Sequence, residues 1–565
     1  MDLENSLWEA EEGVPQIQDP FIQRFLAGRD SLIHREASQR HDSNLHDALA
    51  PVATRACQIV SEVCAQELAR FQNADPSSDV RPQSLTSDWP EGSDLWKIVR
   101  RLPKGSLLYG HLPAMVDTDF LIDQAFATPG IHISAPNPLI TAQLDSPKTR
   151  LSFQYCSCST RLSNDKPTLW SDDYEPSTPI DLKFAAASFP NGAEAGFRRW
   201  LKSHLTLALD HEDYPRRDSR AISELFTLCL PIIDSILHYE PVLRSCLRRV
   251  FSQLVADRIR YVEFRIAFVF QYKLEGSDTA EEDYTGWLQI FQEEVERFKR
   301  SEAGKEFHGA RIIWATLRGL SNKDIGLSMK QCLLAKQEFP DLICGFDLLG
   351  RETHERSLND LLPILFWFRG RCAEEGVDIP FIFHAGQSLG DGDQADDNLF
   401  EAVLLGSRRI GQALSLYKHP LLIEVIKSKH ILIECSPSSS ACLGLTNSFQ
   451  SHPLPALLSR GVSVALSNDS PGIFGLGANG LSPEFCQALL AFHNMGLTGL
   501  TMMVENSIRW SCYDNQSSKE WISEIQDGIL GEGTKATRLR QFYAEFEEFC
   551  EWVVQEFEGK YALTV

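Results

Sequence analysis

The stretch SVALSNDSP, Ser463 to Pro471, reads as a short buried strand, Val462 to Ser467, that ends on a cluster of polar side chains. The same arrangement recurs at Tyr109-Gly110-His111 and at His384-Ala385-Gly386-Gln387. Working outward, the other strand-like runs are Ser106 to His111, Val262 to Phe268, Ile312 to Leu317, Ile343 to Leu348, Pro380 to His384, Arg409 to Ala413 and Ile431 to Cys435. Helical runs such as Leu361 to Glu375 and His419 to Lys429 fill most intervals. Eight apolar strands with intervening helices fit an α/β fold, a closed (β/α)8 TIM barrel whose strands are buried on both faces. Pattern alone leaves an open doubly wound sheet as the alternative.

At 565 residues the chain is about twice a minimal single barrel. Residues 1–95 are expected to form an acidic and helical extension, with a helix around Pro51 to Phe71 and a polar loop from Asn73 to Asp94. Residues 96–565 carry the barrel. Between the first two strands lies an insertion of about 117–260, with a polar loop near Asn164 to Pro179 and helical stretches at Ala195 to Leu207, Ser219 to Leu230 and Pro241 to Arg260. It is expected over the barrel mouth or as outer packing. Helices are expected at Ser482 to Met495 and Thr534 to Glu556, within a C-terminal set spanning about 482–556.

There are 77 acidic and 54 basic residues, a net charge of -23, which argues against nucleic acid and anionic membrane as partners. The expected partner is a small molecule, with a homodimer left open. Fourteen cysteines show no scaffold spacing, and the Cys156/Cys158 pair has no second pair nearby, so a reducing compartment is expected. The start MDLENSLWEAEEG is acidic where a secretory peptide is basic and then apolar. No stretch reaches about 18 uncharged apolar residues. A cytoplasmic location is the expectation.

In a parallel barrel, residues just beyond the strands meet in space, and chemistry is built there. His111, His384 and Asp469 share that level and could bind zinc or a similar ion. LICGFDLLGRE, Leu342 to Glu352, adds Asp347 and Glu352, with Gly345 and Gly350 allowing close backbone approach. Glu263 and Arg265 interrupt the apolar run YVEFRIAF; buried charges need partners, so a structural network competes with a pocket role. Cys435, at a strand end, is expected to be packed, since nucleophilic use would require a positioned base.

The chain resembles the adenosine deaminase family, most closely its growth-factor-related branch. The resemblance lies in LPKGSLLYGHLPAMVD, GFDLLGRE, FHAGQ, RRIGQALSLYKHP, ILIECSPSSS and SVALSNDSPGIFG, in the family's order. It implies a distorted barrel of the metal-dependent hydrolase type holding one zinc ion that activates water against C6 of adenosine. His111, His384 and Asp469 correspond to three of the family's metal ligands, and Tyr109 stands where the fourth, a His, belongs. The acid/base Glu is replaced by Gln387, the water-orienting His by Gln412, a second Asp by Ser470 and the substrate-side Asp of the first strand by Pro113. Gly350 matches a substrate-side Gly, and the pocket set is completed by Asp117, Asp347, Glu352 and Ser470.

Gln387 has no carboxyl to shuttle a proton, a loss that typically removes a factor of about 100 to 10,000 in rate. A phenol binds metal strongly only after losing a proton whose ordinary pKa is about 10. The expectation is therefore an adenosine-deaminase-like small-molecule enzyme with rearranged chemistry on a nitrogen heterocycle, using His384, Asp469, Gln387, Gln412 and Tyr109. The alternatives are an inactive ligand-binding or regulatory pseudoenzyme and a purine nucleoside deaminase. Zinc is the implied cofactor, its site weakened or absent.

Overall fold

The computed structural model describes residues 8–9, 11–73, 92–140, 144, 146, 148–157, 168–207, 219–476, 480–492 and 495–561. Cys158, most of the loop expected over 73–94 and the start of that expected over 164–179 lie outside these residues.

The strands in chain order are β1 (Gly105–His111), β2 (Ile131–Ser134), β3 (Ser152–Tyr155), β4 (Ile180–Asp181), β5 (Ile259–Ala267), β6 (Gly309–Leu317), β7 (Ile343–Leu349), β8 (Ile382–Ala385), β9 (Arg409–Gln412), β10 (Leu432–Cys435) and β11 (Val464–Leu466). Each of the eight barrel strands expected from sequence is present, within three residues at either end. They form two parallel four-stranded halves, β1-β5-β6-β7 and β11-β10-β9-β8. Parallel bridges Gly110 to Asp469 and Phe346 to Phe381 join the halves, so the sheet closes into a distorted barrel and the open alternative is set aside. One seam is made by site residues themselves: the His111 amide donates to the Asp469 carbonyl at 2.9 Å, and the Asp469 amide to the Tyr109 carbonyl at 3.3 Å.

The pleat of β5 explains its mixed sequence. Val262, Phe264 and Ile266 join the apolar core, whereas the alternating Glu263 and Arg265 meet charged residues of other strands. Arg265 pairs with Asp347 of β7 at 2.8 Å and Glu434 of β10 at 2.6 Å. Arg409 of β9 pairs with Glu434 and Glu263, both at 2.6 Å. All five side chains are fully buried. Desolvating each ion costs several kcal/mol, so the chain is tolerable only with every partner in place.

The insertion contains the antiparallel sheet β3-β2-β4, which the strand reading had missed, and the helices Ala193–Leu205, Ser219–Leu237 and Glu240–Ala256. It touches the segment following β11: the Leu207 amide donates to the Ile473 carbonyl at 2.8 Å, and Phe226 stacks on Phe474. A second element missed in sequence, helix Gly496–Arg509, covers the β1/β11 seam; the Ser507 hydroxyl accepts the Ser106 amide at 3.0 Å and the Asn506 amide donates to the Val464 carbonyl at 3.0 Å.

The expected N-terminal helix is Pro51–Asn73, and Ile59, Val60 and Val63 bury into the same core as the barrel. The preceding helix, Pro20–Ala37, buries none of its residues. Among the described residues, no helix is long and apolar enough to cross a membrane.

Candidate functional site

Tyr109, His111 and His384 bring three rings together at the mouth, with centroid separations of 5.6, 5.0 and 5.6 Å. Tyr109 sits on β1, and space for its ring comes from β9: a Cβ on Gly411 would lie 2.8 Å from Tyr109 Cε2. The Arg265 guanidinium lies over the Tyr109 ring, 4.5 Å from its centroid.

Tyr109 Oη is 2.6 Å from His384 Nε2, and His384 Nδ1 is 2.7 Å from Asp347 Oδ2. Asp347 also accepts the His384 amide at 3.1 Å and the Arg265 Nε–H at 2.8 Å. Burial alone would raise the Asp347 pKa, but His384 and Arg265 outweigh it and hold the carboxylate below its ordinary range. An ionised Asp347 accepts the His384 Nδ1 proton, and in the neutral imidazole Nε2 is then the acceptor and the phenol the donor. Burial, with Asp469 adding to it, pushes the Tyr109 pKa well up, consistent with a protonated phenol.

The opposite wall is built from β9, β10 and β11. Asp469, at φ +58°, turns its carboxylate to Ser470 Oγ at 2.9 Å, Ser439 Oγ and the Gln412 amide at 3.5 Å. Gln412, also left-handed at φ +69°, donates to Tyr109 Oη at 3.4 Å and accepts Ser440 Oγ at 3.0 Å. Two non-glycine residues in this conformation mark local strain at the site. His111 Nε2 lies 3.5 Å from Asp469 Oδ1, and burial lowers its pKa to about 4, so the imidazole is neutral near pH 7.

Tyr109, His111, Asp347, His384, Gln412, Asp469 and Ser470 therefore converge. Gln387, just beyond β8, is half-buried, and its amide has no partner among the described residues. Three expected pocket residues do other work. Asp117 caps the helix Thr118–Ala127 by accepting the Phe120 amide. Glu352 lies behind the site, accepting the Gly386 amide at 2.9 Å and the Asn398 side chain at 3.1 Å. Gly350, at φ +125°, makes the turn after β7 against Glu355 and Arg318. Glu263 and Arg265 take the network role, yet Arg265 also anchors Asp347. Cys435 is buried, and burial pushes its thiol pKa up.

Sequence reasoning missed Ser438 to Ser440 and Glu484. The three serines follow the end of β10 and were visible as a motif, but nothing in the pattern says which polar group each one serves. Glu484 lies on the helix Ser482–Ala491, well past the last motif, and only folding returns it to the site.

A zinc ion does not fit this donor set. His384 Nε2 is engaged by the Tyr109 hydroxyl, Asp469 already accepts from two hydroxyls and an amide, and the fourth expected ligand is a phenol whose pKa is pushed well up. Among the described residues, no three His, Cys, Asp or Glu side chains are grouped to hold a metal.

The sequence pattern of adenosine deaminase matches residues 220–528, more than half of the chain. Adenosine deaminase 2 of Pongo abelii is 29% identical over 424 residues, covering 74% of this chain and 76% of its own. Adenosine deaminase 2 of Homo sapiens is 28% identical over 438 residues, covering 77% and 79%. An adenine deaminase structure from Arthrobacter aurescens aligns with TM-score 0.46 and 16% identity, covering 76% of this chain and all of that one.

Proposed function

The chain belongs to the adenosine deaminase family, and from that premise we propose that it is a small-molecule enzyme acting on a nitrogen heterocycle through proton transfer by its own side chains. The observation that carries this reading is the relay Tyr109 Oη–His384 Nε2, His384 Nδ1–Asp347 Oδ2, at 2.6 and 2.7 Å. With its own proton directed to His384 Nε2, Tyr109 Oη can take a proton from a bound ligand as the phenol proton passes to the imidazole, and return it by the reverse path. Gln387, with its unpartnered amide, supplies a donor and an acceptor for a heterocycle edge but no proton shuttle.

Adenosine deamination in the family's manner is poorly served, because Gln387 and Gln412 stand where its carboxylate and imidazole belong. The acidic balance of the chain supports a reading without nucleic acid. Unpaired cysteines such as Cys246, Cys332 and Cys486 support a cytoplasmic location. Phe21 and Phe25, exposed on the helix Pro20–Ala37, support a homodimer.

The test has two arms. Ammonia release from adenosine should be far below the ~10 per second typical of enzymes, and combined Tyr109→His, Gln387→Glu and Gln412→His substitution should raise both ammonia release and zinc retained through dialysis. Metabolite profiling should then find a compound chemically changed by the wild-type protein and not by Tyr109→Phe. Fast adenosine turnover by the wild type would overturn the reading, and a bound but unchanged ligand would replace it with an inactive binder.

A further inference from the structure

At the floor of the barrel, the end of the strands opposite the relay, a cleft lies between the sheet and the C-terminal helix Thr534–Phe557. Its walls include Arg260 at the start of β5, His308 just before β6, and Arg538, Gln541 and Glu545 on the helix. It has room for about one water-sized occupant. Three nitrogens of these walls are buried with no hydrogen-bond partner: Arg260 Nε, Arg538 Nε and His308 Nδ1. A guanidinium N–H can only donate, so the occupant has to accept from it. Left unmade, each such bond costs about 1–3 kcal/mol.

Charge decides between a water and an anion. Arg260 is matched by Glu545 at 3.2 Å and by Glu306, whose side chain is 60% exposed and so well solvated. Arg538 has no carboxylate partner among the described residues and donates to the neutral Gln541 at 3.3 Å. His308 reports the resulting field. Burial first, then Arg538 and Arg260, lower its pKa to about 3, with a hydrogen bond to Gln541 and no carboxylate opposing them. The imidazole is therefore neutral near pH 7, and the field around it is set by two guanidiniums.

We propose that this cleft is a binding site for a small monovalent anion of halide size, which accepts the free N–H groups of Arg260 and Arg538 and fastens the C-terminal helix to the barrel floor. The inference goes beyond the small-molecule reading and stands apart from it, since no residue of the relay or of the β10/β11 wall takes part.

Chloride and bromide, added to the full chain, test it without any substrate. Thermal unfolding in rising sodium chloride, with sodium gluconate holding the ionic strength constant, should show a saturable rise in Tm. Arg538→Gln should raise the half-saturating chloride concentration about tenfold or more, the loss of one charge-assisted hydrogen bond. Crystals held in sodium bromide should give an anomalous peak between Arg260 and Arg538, and that peak decides the matter if Arg538→Gln fails to fold. A water in place of the bromide, a chloride response equal in wild type and Arg538→Gln, or a bromide peak with no chloride dependence of Tm, an adventitious ion only, would overturn the proposal.

Discussion

The two walls of the pocket carry the same chemical group in opposite states. On the β7/β8 wall, Asp347 is fully buried yet held as a carboxylate, because Arg265 and His384 sit against it at 2.8 and 2.7 Å. On the β10/β11 wall, Glu484 is buried to a similar degree, has no cation acting on it among the described residues, and has its pKa raised to about 7. Burial alone penalises both charges; the neighbouring cation decides which one survives. A site that has lost a carboxylate at Gln387 can thus retain proton chemistry by controlling which carboxyls meet a cation.

The hardest blow to this contrast is to remove the cation. Arg265→Met should leave buried Asp347 with His384 alone and buried Glu434 with Arg409 alone, each short of a charged partner, and cost about 3–5 kcal/mol of stability, read from chemical denaturation. A loss below about 1 kcal/mol would mean that Arg265 does not anchor the wall.

The second test uses pH on the cation-free wall. The Glu484 carboxyl moves from an ordinary 4.5 to about 7 on folding, so between those values the folded chain binds more protons than the unfolded one. Its stabilising contribution is complete below about 4.5, falls as pH rises, and is lost through about 7, a change of roughly 3 kcal/mol. Stability curves of Glu484→Gln and wild type should diverge across that window and run parallel outside it. Parallel curves throughout would show that the carboxyl is not perturbed.

The smallest effect concerns how the relay is seated. Gly411→Ala should force the Tyr109 ring aside and cost about 1–3 kcal/mol. In a Tyr109→Ala background the space is free and the penalty should largely vanish, which a double-mutant cycle measures.

Much of this was written locally. Apolar runs such as ICGF and VAL, punctuated by helical intervals, determined eight barrel strands, because a strand covered on both faces has to be apolar along its length. The family motifs pointed to the strand ends at which Tyr109, His384 and Asp469 converge, and Tyr109, Gln387, Gln412 and Ser470 marked the site as altered relative to the family's. Helix Gly496–Arg509 escaped because two glycines, Gly496 and Gly499, weaken its propensity, and tertiary cover of the β1/β11 seam supplies what propensity lacks. What only the folded chain decided was pairing across large sequence distances. Tyr109 with His384, Arg265 with Asp347, and Ser438 with Glu484 are joined only in the folded chain. Protonation depends on what lies within a few ångströms in space, and no local pattern of residues encodes that distance.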